Sequence, residues 1–134
     1  MAEVTAFGKL LRKLRIDYSE VLGTMAKKLG ISPAYLSAIE NNGREIPDDF
    51  IAKIATEYNL DETQIKELEE AKAQVHGKVA VDFEGQKAER NYVETAVMFA
   101  KDFSKLTSEQ VEMLKNLLKS FEDSGDVANG SESV

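Results

Sequence analysis

The stretch from Leu22 to Glu40, LGTMAKKLGISPAYLSAIE, constrains the fold more than any other. Leu22, Met25, Ala26 and Leu29 recur at the spacing of one helical face. The run stops at Gly30, a residue suited to the left-handed turn that ends a helix. Ser32-Pro33 then starts a new helix, because serine caps free amide groups and proline tolerates the first helical position. This second helix carries Leu36 and Ile39 inward and is expected to end near Asn41-Asn42-Gly43. Two short helices joined by three or four residues must approach closely, and Ala26 is small where they meet.

The rest of the chain reads as further helices, with one interruption. Only two prolines and eight glycines punctuate it. Phe7, Leu10, Leu11 and Leu14 define a first helix; Pro47-Asp48-Asp49 opens a fourth, with Ile51, Ile54, Ala55 and Tyr58 on one face. Asp61 and Gln64 fit a capping box before a fifth helix through Ile65, Leu68 and Ala71. From Lys78 to Glu84 the residues alternate, with Val79, Val81 and Phe83 on one side, and this predicts a half-buried strand. A helix over roughly 88–105 carries Tyr92, Ala96, Phe99, Ala100 and Phe103, and Thr107-Ser108-Glu109-Gln110 caps a last one with Val111, Leu114, Leu118 and Phe121. The Ser/Gly/Asp-rich end reads as a disordered tail. The expected organisation is residues 1–75 as a first domain, 76–122 as a small module of one strand and two helices, and 123–134 as the tail. The fold class is mainly α.

Composition removes several functions. There is no cysteine, which excludes disulfides and thiolate metal or nucleophile chemistry. His76 is the only histidine; it stands beside Gly77 and reads as a linker residue. Asp48-Asp49 and Asp82/Glu84 converge with no nucleophile or phosphate loop, so no catalytic residue, metal site or cofactor is expected. No apolar run approaches the ~20 residues of a membrane span and no export signal is visible, so the expected location is cytoplasmic. Net charge is −7, but it is unevenly placed. Residues 1–30 hold six basic and three acidic side chains, whereas residue 69 onward holds eight basic and thirteen acidic.

FGKLLRKLR, MAKKLGISPAYLSAIENNGREIP and IAKIATEYNL resemble the Cro/repressor-type (Xre-like) helix-turn-helix regulators over about residues 5–72. The matched features are the basic first helix, Ala26 and Gly30 four apart, Ile31, Leu36, Ile39-Glu40, the Asn-Gly loop and Pro47. The resemblance implies a five-helix domain that binds double-stranded DNA and reads an operator in the major groove with helix 33–41. It assigns base readout to Ser32, Pro33, Ala34, Tyr35, Ser37 and Ala38, with Asn41, Asn42 and Arg44 just beyond. Lys27, Lys28 and Arg44 are the expected phosphate contacts. The chain departs from the family at Leu22, where glutamine commonly meets a phosphate; Thr24 or the basic first helix takes that role here. Glu40, acidic beside this face, is expected to pair with Arg12 or Arg15.

The expected function is therefore a sequence-specific transcription regulator, by family habit a repressor. The alternative is an antitoxin-like or adaptor chain that captures a protein partner through its C-terminal module. A small-ligand sensor is a third reading, but about 45 residues enclose no sizeable pocket unless two copies join. One domain of this kind reads half a site, so a homodimer is expected. A lone strand leaves its backbone unpaired, and the same strand of a second copy would satisfy it. Val79, Val81, Phe83, Tyr92, Phe99, Phe103, Leu114, Leu118 and Phe121 form the expected interface, enough across two copies to exceed ~1,000 Å².

Overall fold

The computed structural model describes residues 3–81 and 89–132, with side chains described as far as residue 123. It divides into two units, Met1–Ala80 and Val81–Val134.

Five helices build the first unit: α1 (Ala6–Asp17), α2 (Leu22–Leu29), α3 (Pro33–Glu40), α4 (Phe50–Tyr58) and α5 (Glu62–His76). Local chemistry sets most of their ends. Thr5 accepts from the Gly8 amide at the start of α1, and Ser32 accepts from the Tyr35 amide at the start of α3, where Pro33 is the first helical residue. Gly30 ends α2 in the left-handed region at φ 73°. Asp61 and Gln64 form the expected capping box of α5. Helix α4 begins at Phe50, and Asp48 and Asp49 instead pair with Lys72 and Lys53.

The core gathers one face of every helix: Phe7, Leu11 and Leu14, then Met25, Ala26 and Leu29, Leu36 and Ile39, Phe50, Ile54 and Tyr58, and Leu68 and Ala71. Two features of this packing lie beyond sequence reading. Gly8 sits against the end of α3, where an added Cβ would lie 2.9 Å from Glu40 Cα and closer still to its carbonyl oxygen. Gly8→Ala should therefore lower unfolding free energy by about 1–3 kcal/mol, since a backbone cannot swing aside as a side chain can. Urea titration checks this; an unchanged midpoint would defeat it. The second feature is His76. It is no linker residue, because its Nε2 accepts from the Ile46 amide at 3.2 Å and ties the end of α5 to the loop after α3. Ile46 is buried, and its amide has found a partner thirty residues away.

The second unit contains α6 (Arg90–Asp102), a single 3₁₀ turn (Phe103–Lys105) and α7 (Ser108–Glu132). Thr107 and Gln110 form the expected capping box at the start of α7. Helix α7 runs on to Glu132, through most of the segment expected to lack structure; once nucleated, a helix gains one bond for each residue it adds.

The expected strand is not found. Residues 78–81 have no regular structure, and no strand occurs among the described residues. Val79 and Val81 are 77% and 66% exposed, so the alternation buries no face; Phe83 lies outside the described residues. Alternating apolar residues make a strand only where a neighbour takes up their backbone groups, and the described chain offers none. The fold is thus helical throughout its described length, rather than helices plus a strand.

Candidate nucleic-acid interface

Helix α3 is held from behind. Leu36 and Ile39 are buried on its inner face, and Glu40, 1% exposed, accepts two hydrogen bonds from the Arg15 guanidinium of α1. Arg12 Nε stands 3.6 Å from the same carboxylate, so the expected pairing with the first helix involves both arginines. Arg15 also donates to Met25 Sδ of α2 at 3.3 Å. The Glu40 carbonyl oxygen accepts in turn from the Thr5 amide (2.9 Å) and hydroxyl (3.2 Å). Arg15 of α1 therefore joins the end of α3, through Glu40, to α2, through Met25.

The outer side of α3 is left bare. Ser32, Pro33 and Ala34 are exposed, and Tyr35, Ser37 and Ala38 are half-buried at the helix flank. Past the helix end, Asn41 is half-buried while Asn42 and Arg44 are exposed. Asn42 turns the chain with φ 60°, and the Gly43 amide donates back to the Ala38 carbonyl at 2.6 Å. That bend brings the Arg44 guanidinium over the Tyr35 ring, 5.8 Å from its centre. Thr24 is exposed in the first turn of α2, and Lys27 is exposed with no ion pair among the described residues.

Lys28 is placed differently. Its ammonium is paired with Glu20 and lies over the rings of Tyr58 and Tyr18, at 4.9 and 5.7 Å. Tyr58 donates its hydroxyl to Glu20 at 2.6 Å, and Tyr18 donates to the Tyr58 carbonyl at 2.8 Å. The cluster latches the α1–α2 turn onto the end of α4, and Lys28 is part of it. Hydrogen bonds from Lys28 and then Tyr58 hold the Glu20 carboxyl below the usual carboxylate range, against the opposing effect of burial. Burial first, and the bond to Glu20 second, push the Tyr58 hydroxyl far up, so it remains a donor.

A carboxyl depressed by folding stabilises the fold above its unfolded pKa, and that stabilisation is lost as pH falls through the folded one. Stability should therefore drop on acidification below about pH 4.5, and Glu20→Gln should flatten part of that drop. Urea midpoints between about pH 3 and 6 read it out. Identical slopes for the two proteins would exclude the latch as a source of acid sensitivity.

Residues 9–65 fit the helix-turn-helix family model. This segment is a Cro/C1-type helix-turn-helix domain. No curated protein and no solved structure matched the chain. The match supports DNA binding of the Cro/Xre type by this segment. Its motif is α2, the Gly30 turn and α3, and the matched segment ends within α5. No helix among the described residues is long and apolar enough to cross a membrane.

Proposed function

We propose that this chain is a sequence-specific transcription repressor that occupies an operator as a homodimer, with α3 and residues 41–44 facing the major groove. The observation that carries the reading is the division of α3. Arg15, Thr5 and the core hold its inner side, while the opposite side presents small and polar groups that are exposed at Ser32, Pro33 and Ala34 and half-exposed at Tyr35, Ser37 and Ala38. Ser37 and Tyr35 offer hydroxyls to base edges, and Ala34 and Ala38 offer methyl groups that fit thymine. With no bidentate Arg, Gln or Asn on the helix itself, direct readout is modest, and phosphate contacts and DNA shape add to it. Thr24, Lys27 and Arg44 are the groups available for the backbone.

Pairing is assigned to the second unit. Among its described residues 89–123 none is buried, and Tyr92, Phe99, Phe103, Leu118 and Phe121 stand between 45% and 58% exposed. Val111, Leu114, Leu118 and Phe121 follow a spacing of three, four and three residues, the seam along which two helices join. The pairing route is helical, since the strand expected to mediate it is absent from the described residues. The same bare faces suit the alternative of a foreign protein partner, and sedimentation of the purified chain separates the two: a dimer supports the first, a monomer at tens of micromolar the second.

Selection of bound DNA from a random pool tests the reading. A defined, two-fold symmetric motif is expected; recovery of unrelated sequences would refute sequence-specific binding. Lys27→Ala should weaken every sequence alike and reduce the salt slope of binding by about 0.9 for each head. An unchanged slope would remove Lys27 from the phosphate contacts.

A further inference from the structure

Ser37 is half-buried at the flank of the outer side of α3. A serine hydroxyl carries one proton and two lone pairs and rotates freely, so alone it suits any base edge. Here it is constrained. Asn41, one turn further on, donates through Nδ2 to the Ser37 carbonyl oxygen at 2.8 Å and to the Ser37 hydroxyl at 3.3 Å. The carbonyl bond decides which end of the amide faces the helix, because the amide oxygen there would confront another oxygen. One lone pair of Ser37 is thus occupied, and its proton has no acceptor among the described residues. The proton cannot point at the Asn41 amide, so it is turned away from Asn41 with one lone pair left beside it.

We propose that Asn41 sets the base choice of Ser37. The pair selects a base whose major-groove edge carries an acceptor, such as N7 of a purine, O6 of guanine or O4 of thymine. It rejects cytosine, whose edge offers only the N4 amino donor. To accept from cytosine, the hydroxyl would have to turn its proton away from the DNA, where it has no acceptor among the described residues. Asn41 is a positioning residue that acts through Ser37, and the inference rests on the reading of α3 as the DNA-facing helix.

The test is selection from a random DNA pool with the full chain and with Ser37→Ala, Asn41→Ala and Asn41→Asp. The base position whose profile changes in Ser37→Ala locates the contact. In the wild type, cytosine should be depleted there by about fivefold or more. Asn41→Ala should even out that position and leave the others as they were. Asn41→Asp puts a carboxylate where the Ser37 carbonyl oxygen needs a donor, so it should lose the cytosine discrimination as Asn41→Ala does. Melting curves show that each variant is folded, and unchanged preferences at the other base positions separate a lost Asn41–Ser37 bond from lost structure. An even wild-type profile at that position, no position moved by Ser37→Ala, or an Asn41→Ala profile identical to wild type would each overturn the proposal. A wild-type chain that selects no DNA at all overturns the proposed function itself and is recognised before any variant is compared.

Discussion

Replacing Arg15 with methionine should cost the first unit about 3–5 kcal/mol, the usual penalty for leaving one member of a buried ion pair without its partner. Glu40 is almost fully enclosed, and Arg15 supplies both of its close hydrogen bonds. Arg12, 3.6 Å away with half its side chain in solvent, compensates little. A domain this small has about 5–15 kcal/mol in total, so a large share of the molecules unfold at modest denaturant. The double variant Arg15→Met with Glu40→Leu should recover much of the loss, because a buried pair replaced by apolar groups is often neutral. Urea melts of the four proteins complete the cycle. A double variant no better than Arg15→Met would show that the cost lies in packing around Met25 instead of in the stranded carboxylate.

The second large effect concerns the helices beyond residue 89. Leu114→Glu with Leu118→Glu places two carboxylates on the α7 seam and changes no residue of the first unit. The full-length variant should sediment as a monomer, and its affinity for a two-half-site operator should fall by about 10²–10⁴-fold, the gain that linking two heads provides. Binding to an isolated half-site should not change. A variant that remains dimeric would move pairing elsewhere in the chain, and a monomer with undiminished affinity would remove the link between pairing and DNA binding.

The features legible in the sequence are those whose cause is local. Gly30, Ser32-Pro33, and the pairs Asp61/Gln64 and Thr107/Gln110 each act within four residues, so spacing alone places the helix boundaries. Glu40 was legible for another reason: an acid beside a face expected to meet phosphate needs a base behind it, and the first helix supplies two. The features that were missed join distant residues. Gly8 is needed by Glu40, His76 by Ile46, and Lys28 by Glu20 and Tyr58, and no periodicity in the chain announces such partners. Lys28 therefore reads from sequence as a phosphate contact equal to Lys27, while in the fold its charge is engaged. The alternation at residues 78–84 misleads in the opposite way, since a period of two describes which side each residue takes and says nothing about a neighbouring strand.

The bare helices of the second unit carry a consequence for dosage. Under the proposed pairing, a segment with no buried residue among those described draws its order from association, so the fraction of paired chains depends on how many chains are present. Where pairing precedes operator binding and is weak at cellular levels, the number of active pairs grows as the square of copy number. A twofold fall in copy number then removes about three-quarters of them. A regulator built this way answers small changes in its own synthesis or dilution with a steep release of its site, without any small molecule to trigger it.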